Sequence, residues 1–188
     1  MYKYLFFLFA FLSIPVSAEV VTLETIEWNS SEYHLVQQGT IHDYRAYADE
    51  MDAHLVTIDS QLENEFIVST WGEGGSSVYS YVNAAMFIGI SDEISEGNFR
   101  WDDGTPVSYT NWRTGEPNNA NGTREEDYGF IYLDGSAHLL GFWNDVGDST
   151  TRVGLIEKKL NLADVPAGPS LALVFLLLPS FFRKRNHG

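Results

Sequence analysis

The stretch from residue 114 to residue 128 constrains this chain more than any other part of its sequence. It shows no hydrophobic periodicity and contains seven side chains that end in a carboxylate or a carboxamide. These are Glu116, Asn118, Asn119, Asn121, Glu125, Glu126 and Asp127. Calcium takes six to eight oxygen ligands from such groups, from carbonyls and from water. The stretch therefore favours a loop that binds a hard cation. An ordinary solvated acidic loop is the alternative, because Asn, Gly, Asp and Pro also build turns.

Six short motifs occur in a fixed order in and around this stretch. They are Ala53-His54-Leu55-Val56-Thr57-Ile58, Phe87-Ile88-Gly89-Ile90-Ser91-Asp92, Glu116-Pro117-Asn118, Glu126-Asp127, Trp143-Asn144-Asp145 and Gly154-Leu155-Ile156-Glu157. In order and approximate spacing they resemble the motifs of the C-type lectin-like domain, over residues 28–157. The resemblance implies an α+β fold with two helices, two small antiparallel sheets and a long calcium-binding loop region.

The resemblance also implies a principal calcium site. In the family its ligands come from the Glu-Pro-Asn motif, a later Glu and the Trp-Asn-Asp motif. The matching residues here are Glu116, Asn118, Glu126, Asn144 and Asp145. Pro117 is implied to follow a cis peptide bond, which costs little before proline. Trp143 is interpreted as a core anchor and not as a ligand.

The same five side chains are implied to bind a sugar. A calcium ion can exceed six ligands, so vicinal sugar hydroxyls can fill its remaining positions. The Glu-Pro-Asn motif resembles the version that selects equatorial 3- and 4-hydroxyls, as in mannose or glucose. The resemblance thus predicts Ca²⁺ as cofactor and a mannose/glucose-type carbohydrate or an exopolysaccharide as partner.

An auxiliary calcium site is a second implication of the resemblance. Asp92 and Glu96 have the four-residue spacing found in some family members, with Asn119, Glu126 and Asp127 as partners. Asn119 stands where the family often has an acid, which predicts a lower affinity. The alternative is a set of surface acids on a turn.

Both ends of the chain are set apart from residues 19–164 by their composition. Residues 1–18 have one lysine, an apolar run and the small-residue site Val16-Ser17-Ala18, a pattern typical of a secretory signal peptide. Residues 165–188 have an uncharged apolar run that ends in Arg183-Lys184-Arg185. This tail resembles the PEP-CTERM sorting segment of Gram-negative bacteria, which an exosortase removes, although Ala-Gly replaces the usual Glu. A retained transmembrane anchor in the inner membrane is the alternative.

The predicted domain, residues 19–164, is strongly acidic. It has 26 acidic and seven basic residues, a formal net charge of −19 (7 minus 26). Nucleic acids and anionic membrane surfaces require basic patches, so the charge argues against both as partners. It suits divalent cations, with solubility or a high-salt habitat as the alternative.

The chain has no cysteine. Disulfides, zinc–thiolate sites and thiol nucleophiles are therefore excluded. Aligning the motifs places Ala48 and Ile156 where the family has one disulfide, and Tyr128 and Asp148 where it has the other. Packing, and bound metal if present, must supply the stability that disulfides supply in most small exported domains.

Hydrophobic periodicity predicts the regular elements. It predicts paired strands at residues 22–28 and 33–36, and a helix at residues 41–51 with Thr40 as its cap. A strand at 54–58 precedes a second helix, which begins at the cap Ser60, places Leu62, Phe66 and Ile67 in the core and ends near Trp71. Residues 86–90, 130–133, 140–143 and 151–157 read as the later strands.

Three classes of function remain to be compared. None of the five histidines lies at metal-ligand spacing and no Gly-x-Ser-x-Gly elbow occurs, so the sequence predicts that the protein is not an enzyme. The resemblance favours a calcium-dependent carbohydrate-binding module exported to the cell envelope, cell surface or extracellular matrix. The alternative is a calcium-stabilised protein-interaction or matrix-structural module that binds no sugar, because fold does not determine function.

Overall fold

The computed structural model describes residues 20–73, 85–119, 125–134 and 138–161. The expected signal peptide and sorting tail, residues 1–18 and 165–188, lie outside them. The described residues form eight strands and two helices: β1 Thr22–Trp28, β2 Ser31–Gly39, α1 Ile41–Glu50, β3 His54–Leu55, α2 Gln61–Trp71, β4 Ala85–Ser91, β5 Arg100–Trp101, β6 Tyr128–Tyr132, β7 Trp143–Val146 and β8 Arg152–Lys159. Neither of these helices is long and apolar enough to cross a membrane.

The strands of the described residues form one mixed sheet in the order β1-β2-β8-β4-β6-β7, with β3 against β8 and β5 against β4. Every pair is antiparallel except β4 and β8, where Met86 lies opposite Val153 and Phe87 opposite Gly154. The α+β fold class is confirmed. The two antiparallel groups expected from the sequence are joined by this parallel pair into a single sheet.

Both helices begin at the caps that the sequence predicts. Thr40 and Asp43 form a reciprocal capping box at the start of α1. The Ser60 hydroxyl accepts a hydrogen bond from the Glu63 backbone N–H at 3.3 Å, at the start of α2. The prediction that Leu62 lies in the core is wrong, because Leu62 is 70% exposed. The buried positions of α2 are 63, 64, 67 and 71, and this three- and four-residue spacing leaves position 62 on the outer face.

The last strands differ slightly from their predicted bounds. β7 begins at Trp143, whereas Leu140 and Phe142 are exposed and lie before it. The expected strand at 140–143 is therefore wrong in position. Gly141, between those two residues, has a φ of +83°, a conformation that only glycine adopts readily, so the chain turns there. Trp143 thus marks the start of the strand that carries Asn144 and Asp145.

Candidate cation-binding loops

Trp143 anchors the loops to the core. It is fully buried, and the rings of Trp101, Tyr109 and Trp112 each pack edge-on against it with centroids 5.7 Å away. Its indole N–H donates a hydrogen bond to the Asn64 side-chain oxygen at 2.8 Å. Side chains from α2, β5 and the long loop therefore fix the start of β7, so that the next two residues are held in place.

Asp145 ties the loop at residues 116–119 to β7. The Glu116–Pro117 peptide bond is cis, as expected. The backbone N–H groups of Asn118 and Asn119 both donate to Asp145 Oδ2, at 3.0 and 2.8 Å. Asp145 is only 1% exposed. The Glu-Pro-Asn and Trp-Asn-Asp motifs are therefore brought together through one buried carboxylate.

Three side-chain oxygens at this junction are buried and accept no hydrogen bond from the described residues. They are Glu116 Oε2, Asn144 Oδ1 and Asp145 Oδ1. The Asn144 amide nitrogen donates to the Asp145 carbonyl at 2.7 Å, so the amide group is oriented. Buried polar atoms are nearly always paired. A set of carboxylate and carboxamide oxygens without donors matches the ligand preference of calcium, so these residues fit that ion.

Burial next to Asp145 also affects the pKa of Glu116. Its side chain is 4% exposed, and Arg113 Nη2 lies 3.5 Å from Oε1. Burial, and then the nearby carboxylate of Asp145, raise the pKa of Glu116 above its ordinary value in spite of Arg113. A bound cation interacts favourably with two such neighbouring carboxylates when both are ionised.

Glu126 is connected to the loop at residues 116–119 by a hydrogen bond from its backbone. Its N–H donates to the Asn119 side-chain oxygen at 2.7 Å. Asn119 has a positive φ of 47°, a conformation that asparagine adopts more readily than most residues. The predicted ligand Glu126 is thus linked to the residue that follows Asn118.

Three of the auxiliary candidates form a compact acidic cluster. One oxygen from each of Asp92, Glu96 and Asp127 lies within 4.8 Å of the others. Asp92 is 4% exposed; its Oδ2 accepts from the Gly97 N–H at 2.8 Å, and its Oδ1 has no partner among the described residues. Burial, followed by repulsion between neighbouring carboxylates, raises the pKa of all three.

The side-chain amide nitrogen of Asn119 lies beside this cluster. That group donates to Glu96 Oε1 at 3.0 Å and to Glu125 Oε2 at 2.6 Å, while its oxygen accepts from Glu126. A cavity of about 200 Å³ is lined by Asp92, Glu96, Gly97, Phe99, Pro117, Asn118, Asn119 and Asp145. Members of both sets therefore line one cavity: Asn118 and Asp145 from the principal set, and Asp92, Glu96 and Asn119 from the auxiliary set.

Arg45 and Asn64 are residues of this region that the sequence interpretation missed. Asn64 joins α2 to Trp143, and its amide nitrogen also donates to the Gly141 carbonyl at 3.1 Å. Arg45 bonds to Glu93 and Asp102 beside the acidic cluster. The sequence did contain one indication that Arg45 has a particular role, because it is the only lysine or arginine between Lys3 and Arg100.

Much of this chain is similar in sequence to known lectin domains. Residues 37–152 match the family model of the Lectin C-type domain. A hepatic lectin of Gallus gallus is 32% identical over 116 residues, which cover 61% of this chain and 47% of the relative. An α-N-acetylgalactosamine-specific lectin of Patiria pectinifera is 35% identical over 98 residues, 51% of this chain and 52% of the relative. The chain thus spans about half the length of these relatives, both of which are named as lectins and not as enzymes.

A solved structure supports the same fold. The carbohydrate-recognition domain of the mouse scavenger receptor C-type lectin superposes with a TM-score of 0.59 and 24% identity, and the match covers 73% of this chain and 94% of that domain. At this identity the likeness concerns the fold alone. The family model, in contrast, covers more than half of the sequence, and we conclude from it that this protein belongs to the C-type lectin domain family.

Proposed function

We propose that this protein is a calcium-dependent carbohydrate-binding module. In this proposal Glu116, Asn118, Glu126, Asn144 and Asp145 hold the principal calcium ion and contact the sugar. The observation that carries it is the group of three buried oxygens without donors at the meeting point of the two motifs. Leaving buried acceptors unpaired costs about 1–3 kcal/mol each, a cost that a bound cation would remove.

A bound calcium ion would supply positive charge and open coordination positions for two sugar hydroxyls. The protein's own part is to orient the oxygens. Asp145 is held by two backbone N–H groups, Asn144 by its bond to a backbone carbonyl, and Glu116 by burial beside Asp145. The auxiliary carboxylates Asp92, Glu96 and Asp127 would hold a second ion beside the shared cavity. The predicted ligand Asn119 would instead orient Glu96, because its amide nitrogen and not its oxygen faces the cluster.

The sugar class is the finer part of the proposal. The Glu-Pro-Asn motif supports a mannose/glucose-type ligand, whereas one relative is named as an α-N-acetylgalactosamine-specific lectin. Both sugars therefore belong in the test. Immobilised mannose should retain the protein in millimolar calcium and release it in excess chelator, and free mannose should elute it better than free N-acetylgalactosamine. Equal retention with and without calcium would contradict the proposal.

A calcium-stabilised protein-interaction or matrix-structural module is the second candidate. It is favoured by the absence of cysteine, because an ion would then join loops that disulfides otherwise join. Calcium that raises the melting temperature, combined with no retention on any glycan of an array, would support this candidate over the first.

The setting of the domain is proposed from the chain ends. We expect residues 1–18 to be removed by signal peptidase, and residues 165–188 to be removed by an exosortase-like enzyme after brief residence in the inner membrane. The domain at 19–164 would then be exported to the cell surface or matrix of a Gram-negative bacterium. Intact-mass measurement of the exported protein tests both boundaries.

A further inference from the structure

Arg45 lies on α1, outside the loops that carry the candidate ligands, and all of its guanidinium nitrogens are bonded. Nε and Nη2 donate to the two oxygens of Asp102 at 3.1 and 2.8 Å. Nη1 donates to Glu93 Oε1 at 2.6 Å, and Nη2 also donates to Ser91 Oγ at 3.1 Å. The bidentate pairing with a carboxylate fixes the orientation of the guanidinium plane.

Tyr128 closes this network on the other side. Its hydroxyl donates to Glu93 Oε2 at 2.7 Å, and the Arg45 guanidinium carbon lies 5.3 Å from the centroid of its ring. Both oxygens of Glu93 are therefore bonded. Arg45, Glu93, Asp102 and Tyr128, which we call the Arg45 network, join α1 to the loop after β4 and to the start of β6.

The Arg45 network is adjacent in sequence to the acidic cluster. Glu93 directly follows Asp92, and Tyr128 directly follows Asp127. The Asp92 backbone N–H also donates to the Asp127 carbonyl at 3.1 Å. Asp92 and Asp127, two of the three carboxylates of the cluster, thus each precede a residue that Arg45 contacts. Arg45 donates a hydrogen bond to Glu93 and lies over the ring of Tyr128.

Charge explains why such a network is needed. Three carboxylates with oxygens within 4.8 Å repel one another and tend to move apart before a cation binds. Arg45 is paired with Glu93 and Asp102, which are not members of the cluster. The cluster therefore keeps its negative charge for a cation while the backbone that carries it is held in place.

We propose that Arg45 is a positioning residue for a divalent cation at Asp92, Glu96 and Asp127, acting through Glu93 and Tyr128 and without contacting the ion. The unpaired, buried Asp92 Oδ1 is the independent indication that a ligand belongs at this cluster. The inference rests on the proposed function, since that function supplies the cation. It assigns to an arginine on α1 the task of holding two loops together in a protein that has no disulfide.

Calcium titration by calorimetry tests the inference. Asp127→Asn first identifies the binding step that belongs to the cluster. Arg45→Gln should then weaken that step about tenfold or more, the usual cost of losing a group that orients a metal ligand. Arg100→Gln is the matched control, because it removes the same charge from an exposed position on β5. Simple electrostatics predicts the opposite sign for Arg45→Gln, since removing a positive charge should strengthen cation binding.

Tyr128→Phe separates positioning from folding. It removes only the hydroxyl bonded to Glu93, so calcium binding at the cluster should weaken several-fold while the melting temperature in chelator changes little. Affinity that is unchanged or higher in both Arg45→Gln and Tyr128→Phe overturns this inference and leaves the proposed function intact. If Arg45→Gln fails to fold, Tyr128→Phe decides alone. Wild-type protein that binds no calcium overturns both.

Discussion

At the scale of single residues, several predicted calcium ligands carry a buried oxygen without a hydrogen-bond partner. Among the described residues, Asp92, Glu116, Asn144 and Asp145 each have one buried side-chain oxygen that lacks a hydrogen-bond partner. Each of these four residues is also a ligand candidate from sequence motifs alone. Motif order and local geometry are independent kinds of observation, so their agreement at the same atoms strengthens the proposed assignment.

Exchanging the two polar residues that flank Pro117 tests the sugar preference. In Glu116→Gln with Asn118→Asp the loop keeps its oxygen ligands but swaps the positions of the carboxylate and the carboxamide. Calcium binding should largely persist, while the preference should move away from mannose by at least tenfold, because a reversed donor and acceptor leaves sugar hydroxyls unpaired. Competition between mannose and galactose for immobilised protein measures the change. Asn161→Asp, at an exposed position after β8, is a control that should keep the original preference.

At the scale of elements, helix α2 holds the start of β7 in place through Asn64. Asn64 is 5% exposed and connects this helix to Trp143 and to Gly141 through its two side-chain atoms. Asn111 also donates to the Gly141 carbonyl, at 2.7 Å. The turn before β7 is therefore held from two sides, and the positions of Asn144 and Asp145 depend on a helix that carries no candidate ligand.

Removing the Asn64 side chain should destabilise the domain. Asn64→Ala leaves the buried Trp143 N–H and the Gly141 carbonyl with fewer partners, and each buried group left unsatisfied costs about 1–3 kcal/mol. Urea denaturation in chelator should show a loss of about that size. Leu62→Ala lies on the exposed face of the same helix and should stay within about 0.5 kcal/mol of wild type. A larger effect at position 62 than at 64 would contradict this account of α2.

The sequence predicted the elements unevenly, and the reason is physical. The helices were accurate because their caps, Thr40 and Ser60, are local signals. The position of β7 was wrong because the exposed Leu140 and Phe142 have the composition of a strand, while the turn at Gly141 is fixed by distant residues. Arg45 was missed for the same reason, since its partners are 46 to 57 residues away. Contacts across such distances leave no periodic pattern in a single sequence.

At the scale of the whole molecule, packing and polar networks replace the covalent bonds. Ala48 and Ile156, at the positions of one family disulfide, are both buried in one hydrophobic cluster. A second buried network lies at the end of β8. There Glu157 is fully buried and accepts from Ser31 at 2.7 Å and from Lys159. Glu63 accepts from the Tyr33 hydroxyl at 2.7 Å and from the Asp59 backbone N–H at 3.1 Å.

This buried network should make stability depend on pH. Burial, and then the charges of Glu157 and Asp59, raise the pKa of Glu63 from 4.5 to about 7 despite its two hydrogen bonds. Between these values the folded state holds a proton that the unfolded chain has released. The free energy of unfolding should therefore fall as pH rises through this interval, by on the order of 3 kcal/mol, with no further contribution from Glu63 above it. Urea denaturation in chelator at pH 5 and pH 8 measures the change, and Glu63→Gln should remove most of it. A wild-type profile that the substitution leaves unaltered would show that Glu63 ionises normally in the folded protein.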